Sequence, residues 1–211
     1  MKILFFGDSI TDMGRKREDD GHIYSYGNGY VYLVASELFA KEPGKYEIIN
    51  RGISGNRIVD LYARVKADVW NEKPDCLSIL IGVNDVWHGL RENPNGVGLE
   101  RWEKVYRMLI EDTKKRLPDT RILLCEPFVL HGIATDFEDK YEKFASVYGY
   151  AKVAKKLAKE YGLEFVALQE KFNQKAGEYG AQYYLYDGVH PHIAGAKLIA
   201  TEWLKVFERS R

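Results

Sequence analysis

Five short apolar runs, each followed by a longer amphipathic stretch, constrain this chain more than any other feature. The runs cover residues 2–6, 46–49, 76–81, 121–125 and 164–167, and they are rich in Ile, Leu, Val, Phe and Tyr. Several are nearly continuous rather than alternating, which fits strands of a sheet covered on both faces. The stretches between them repeat at helical spacing. Val31, Val34 and Leu38 share one face, and so do Leu61, Val65 and Val69. Trp102, Tyr106, Leu109, Ile110 and Thr113 form a third stripe, Tyr150, Ala154, Leu157 and Tyr161 a fourth, and Leu198, Ile199, Trp203 and Phe207 a fifth. Each stripe reads as a core-facing helix surface and carries no function. Five strand–helix alternations predict a parallel sheet with right-handed crossovers and helices on both sides.

The expected architecture is therefore α/β: a three-layer sandwich around a five-stranded parallel sheet, with 1–211 as one domain. Its length suits a single core. Three loops exceed what connection needs: 12–28, 85–98 and 127–136. Each follows a strand, so each is expected at the carboxyl edge, where open parallel sheets bind ligands.

Composition narrows the partners. Lys plus Arg number 31 and Asp plus Glu 31, so the formal net charge is zero and gives no pull toward nucleic acid or anionic lipid. No run reaches the ~18 apolar residues of a membrane span, and residues 1–6 are too short for a signal peptide's apolar region. The expected compartment is the cytoplasm. Cys76 and Cys125 each lie inside an apolar run and read as buried thiols, not as a disulfide framework.

Four strand exits or turns carry chemistry. The first run leads directly into Gly7-Asp8-Ser9, which sets a hydroxyl at the sheet edge. The second leads into Asn50-Arg51-Gly52-Ile53-Ser54-Gly55, where glycine lets backbone approach a ligand closely. The third leads into Gly82-Val83-Asn84-Asp85, whose Asn amide can donate to an oxyanion. Near the C-terminus, Asp187-Gly188-Val189-His190 places a carboxylate three residues before an imidazole, within reach of one ring nitrogen. Each segment alone is an ordinary turn or cap. Together they occur in order, the first three at the ends of successive strands.

These four blocks resemble those of the SGNH hydrolases, also called the GDSL family, and the resemblance spans nearly the whole chain. It implies Ser9 as nucleophile, His190 as general base and then acid, and Asp187 as the group that orients His190. It implies an oxyanion hole of the Ser9 N–H, the Gly52 N–H and the Asn84 amide. Such donors contribute roughly 3–4 kcal/mol each to the tetrahedral intermediate. Asp8, Trp87 and Tyr186 are the expected substrate-binding residues. Within the family the chain is most similar to bacterial acetylesterases that act on xylan-derived oligosaccharides, through Asn84-Asp85-Val86-Trp87 in particular. The implied activity is removal of acetyl groups from small carbohydrate esters, with a homo-oligomer as the implied assembly. A lipid-directed esterase or thioesterase on the same fold is the first alternative. Arg15, Lys16, Arg17, Glu18, Asp19 and Asp20 make loop 12–28 a poor apolar lid and weigh against it. A carbohydrate-binding protein without catalysis is the second. No cofactor or metal is expected: the chain has no His-Glu-x-x-His, no paired cysteine ligands and no dinucleotide or Walker glycine motif.

Overall fold

The computed structural model describes residues 1–17, 21–136 and 141–209. Five strands form one sheet in the order β2-β1-β3-β4-β5, every pair parallel. They are β1 (Lys2–Gly7), β2 (Glu47–Gly52), β3 (Cys76–Leu80), β4 (Arg121–Cys125) and β5 (Glu164–Val166). The order reverses at β1, which lies between β2 and β3. That reversal opens a crevice at the carboxyl ends of these strands.

Helices cover both faces, as the continuous apolar strands require. On one side α2 (Tyr30–Lys41) packs against α10 (Ile193–Arg209). On the other, α3 (Ile58–Val65) packs against α5 (Leu99–Arg116), and α5 against α7 (Val147–Tyr161). The core is aromatic on both faces. Trp203 of α10 packs 5.0 Å from Phe5 of β1, and its indole N–H donates to the buried Ser78 hydroxyl of β3 at 2.9 Å. Opposite it, Trp102 meets Tyr106 and Tyr150 edge-on at 4.9 and 5.2 Å. Tyr30 and Phe128 are wholly buried in this core. Cys76 and Cys125 are buried free thiols.

Strand β2 runs three residues past its expected end. Asn50, Arg51 and Gly52 pair with Phe5, Phe6 and Gly7, although Asn and Gly disfavour strands. The Asn50 side chain explains the exception. Its amide donates to the Thr11 carbonyl at 2.7 Å and the Tyr26 carbonyl at 2.9 Å, so the buried polar group is satisfied inside the sheet edge. Glu18, Asp19 and Asp20 of the charged loop lie outside the described residues. Among the described residues, no helix is long and apolar enough to cross a membrane.

Candidate active site

Ser9 opens α1 (Ser9–Asp12), a single turn that leaves β1 at the crevice. Its Oγ lies 2.9 Å from His190 Nε2. On the far side of the ring, His190 Nδ1 lies 2.6 Å from Asp187 Oδ2. The other carboxylate oxygen accepts the backbone N–H groups of Val189 and His190 at 2.9 and 2.7 Å. These bonds fix the rotamer of Asp187 and make Nδ1 the protonated nitrogen of neutral His190, leaving Nε2 as acceptor for the Ser9 hydroxyl.

Electrostatics follow from this geometry. Burial raises the Asp187 pKa, but the hydrogen bonds from His190 and Val189 outweigh it and hold the carboxyl below its ordinary value. Burial pulls His190 down, while the bond to Asp187 and the charges of Asp187 and Asp8 push it up; the net shift is upward from 6.5.

The Asp187 turn rests on the loop after β4. Leu130 N–H donates to the Gly188 carbonyl at 2.9 Å and Ala134 N–H to the Asp187 carbonyl at 3.0 Å. Gly188 has φ +97°, and a Cβ there would meet the Thr135 hydroxyl at 2.5 Å. A side chain at 188 would strain the backbone and also collide with the loop that supports it.

The oxyanion side differs from the sequence expectation. The Gly52 N–H is not free, because it donates to Asn50 Oδ1 at 2.8 Å. Gly52 is glycine for another reason: a Cβ there would sit 2.2 Å from the Asp12 nitrogen, so it permits α1 to pack on β2. Further along, Ile53 N–H donates to Gly7 O, Ser54 N–H to Asp12 Oδ2 and Asn56 N–H to Ile53 O. Arg57 N–H donates to Asp60 Oδ2, and Ile58 N–H to both Asp85 oxygens. From 52 to 58, only the Gly55 N–H finds no acceptor among the described residues. Gly55 has φ +82°, a left-handed conformation suited to glycine. The resemblance implied Gly52; the bonds around it leave the Gly55 N–H, three residues on in the same motif, as the one without an acceptor. Asn84, buried in α4 (Val83–Trp87), donates one amide hydrogen to the Asn56 carbonyl at 3.2 Å and keeps the other. Ser9 begins a helix, so its N–H has no intrahelical acceptor.

Of the expected substrate-binding residues, Asp8 is displaced from that role. It is 1% exposed, and its side chain turns inward to cap α1 by accepting the Ile10 N–H at 2.9 Å. Burial pushes its pKa up to about 7, against the opposing effect of that hydrogen bond. Trp87 is half-buried, 5.8 Å from the His190 ring and edge-on to Phe144 at 5.5 Å. Tyr186 is 48% exposed and lies nearly parallel to the imidazole, with centroids 5.7 Å apart. Ser9, His190 and Tyr186 open on a cleft of about 620 Å³, whose other walls are Asp12–Arg15, Arg17, Asn28 and Ser54.

A hydroxyl, imidazole and carboxylate in relay, on a parallel sheet and without a Gly-x-Ser-x-Gly elbow, define a serine hydrolase outside the α/β-hydrolase pattern. Residues 5–198 match the model of the GDSL-like Lipase/Acylhydrolase family, and the chain belongs to that family as a carboxylic ester hydrolase. It is 37% identical to an acetylxylan esterase of Geobacillus stearothermophilus, over 97% of this chain and 92% of that one. It is 27% identical to an isoamyl acetate-hydrolyzing esterase of Saccharomyces cerevisiae, over 98% of this chain and 86% of that one. The solved structure of a GDSL-like lipase homologue from Parabacteroides merdae ATCC 43184 superposes with a TM-score of 0.87 at 39% identity, covering 98% of this chain and 95% of that one.

Proposed function

We propose that the chain removes acetyl groups from small carbohydrate esters, acetylated xylo-oligosaccharides above all, through an acetyl-serine intermediate. The observation that carries this reading is the relay from Ser9 through His190 to Asp187, opening on a cleft lined mostly by polar and charged residues. Ser9 Oγ attacks the acetyl carbonyl while His190 Nε2 takes its proton. Negative charge collects on the carbonyl oxygen, where the N–H groups of Ser9 and Gly55 and the Asn84 amide donate to it. The intermediate collapses, the bond to the sugar oxygen breaks, and His190 returns its proton to that oxygen. Water then repeats the sequence: His190 takes its proton, hydroxide adds to the acetyl carbon, acetate leaves and Ser9 regains its hydrogen.

The leaving oxygen must come within reach of His190 Nε2, so the sugar occupies the cleft that His190 lines. There Tyr186 offers a ring face and Asn28 and Arg17 offer donors. Two named relatives act on acetyl compounds, which supports the acyl assignment. The cytoplasm remains our assignment of compartment, one in which two buried free thiols persist.

The test measures acetate released from acetylated xylo-oligosaccharides by wild type and Ser9→Ala, with p-nitrophenyl acetate, butyrate and octanoate in parallel. The expected result is acetate release that Ser9→Ala abolishes, and rates that fall steeply with acyl length. Fast octanoate turnover without acetate release from saccharides would overturn the reading.

A further inference from the structure

Arg15 is 8% exposed, yet it lines the cleft beside Ser9 and His190. Its backbone N–H donates to Asp12 Oδ1 at 3.2 Å and its Nε to the Gly52 carbonyl at 2.9 Å. The two terminal nitrogens of the guanidinium have no hydrogen-bond partner among the described residues. Nor does Arg15 have an ion pair there. Asp12 precedes Arg15 by three residues, but its Oδ2 is shared between the Ser54 N–H at 3.0 Å and Arg17 Nη2 at 3.3 Å. The neighbouring arginines are otherwise matched, Arg51 with Glu72 at 2.9 Å and Arg64 with Asp68 at 2.5 Å. Burial lowers the Arg15 pKa; Asp12 opposes that, and the charges of Arg51, Arg17 and Arg64 add to it.

The stem of Arg15 is buried while its free fork faces the solvent of the cleft, so the charge is held in place and open to a ligand. A carboxylate placed against the fork restores two charge-assisted hydrogen bonds in the geometry that arginine matches best. Neutral hydroxyls satisfy the donors but leave the charge. We infer that Arg15, seconded by the exposed Arg17, makes the leaving-group side of the cleft a subsite for a carboxylate, so that the favoured acetyl ester is borne on a uronic-acid-containing saccharide. The inference rests on placing the leaving saccharide in the His190 cleft. It rests on the Arg15 fork and not on the net charge of the loop, since Glu18, Asp19 and Asp20 lie outside the described residues.

Two measurements test it. In the first, p-nitrophenyl acetate hydrolysis is inhibited with D-glucuronate, D-glucose and glucose 6-phosphate. Glucuronate is expected to compete with an inhibition constant roughly tenfold or more below that of glucose, the worth of one charge-assisted hydrogen bond. Arg15→Gln should bring the two constants together, Arg15→Lys should retain part of the gap, and Arg17→Gln should narrow it less. Equal constants in wild type overturn the inference whatever the variants do. So does a gap that survives Arg15→Gln. Stronger inhibition by glucose 6-phosphate than by glucuronate would replace the carboxylate with a phosphate. In the second, acetate release is compared for acetylated xylo-oligosaccharides with and without a glucuronosyl branch. Equal kcat/KM for both overturns the subsite alone. No release from either, with p-nitrophenyl acetate still cleaved, overturns the acetyl-saccharide function instead.

Discussion

Residues 185–191 hold their geometry largely by bonds among themselves, whereas residues 50–58 hold theirs mostly by bonds to distant segments. In the first region Asp187 accepts two N–H groups and a ring nitrogen from within three residues of itself. Tyr186 N–H donates to the His190 carbonyl at 3.1 Å, and Gly188 N–H to the Leu185 carbonyl at 3.2 Å. In the second region two bonds are local, Gly52 N–H to Asn50 Oδ1 and Asn56 N–H to Ile53 O, and the distant partners are Gly7, Thr11, Asp12, Arg15, Tyr26 and Asp85. Asp85 is itself buried, and burial lifts its pKa well above the ordinary carboxylate range despite the bond from Ile58. A base must keep one tautomer and one rotamer, which a short local motif can enforce. An oxyanion donor must project from a backbone whose other N–H groups are all occupied, and that takes the surrounding fold.

Asp187→Asn cuts deepest into the local region. The amide keeps the shape but lets His190 adopt the wrong tautomer, so kcat should fall by about 10⁴-fold with the fold intact by circular dichroism. A loss below about tenfold would mean that backbone contacts alone orient the ring. Asn84→Ala probes the other region. Removing one oxyanion donor should lower kcat by about 10²–10³-fold with KM little changed. If KM rises while kcat holds, Asn84 binds substrate in its ground state and the oxyanion site lies elsewhere.

A pH profile sharpens the comparison with the smallest perturbation. His190 accepts a proton only when neutral, and its pKa is raised above 6.5. The rate should therefore fall as pH drops through a midpoint above 6.5, by about tenfold per unit once well below it. In Asp187→Asn the charge that raises the pKa is gone, so the residual activity should show a lower midpoint. A wild-type midpoint below 6.5 would mean that burial of His190 outweighs Asp187.

The same contrast decides what the sequence could tell. The contact between Asp187 and His190 was legible because three residues separate them in one turn, whereas Ser9 was legible only through the resemblance of its block and meets His190 through the fold. The parallel sheet was legible because its strands are apolar on both faces. The choice between Gly52 and Gly55 was not, since it depends on which N–H the Asn50 side chain, the Gly7 carbonyl and the Asp12 carboxylate have already taken. Asp8 was misread for a related reason. A carboxylate beside the nucleophile can face substrate or cap its own helix turn, and only the packing of α1 shows that it caps. The last three residues of β2 were hidden because Asn50 finds its partners in Thr11 and Tyr26, far away in sequence.

Ser9 and His190 are separated by 181 positions along the chain yet share a hydrogen bond. During synthesis the serine emerges well before its base, and the loop after β4 that braces the Asp187 turn emerges between them. Until the segment that carries His190 leaves the ribosome and docks, the hydroxyl is no better a nucleophile than any other serine. Esterase activity in this protein thus waits on a late docking event: it switches on only when the Asp187 turn has packed against the sheet, and a cut that frees α10 and its preceding turn would switch it off again.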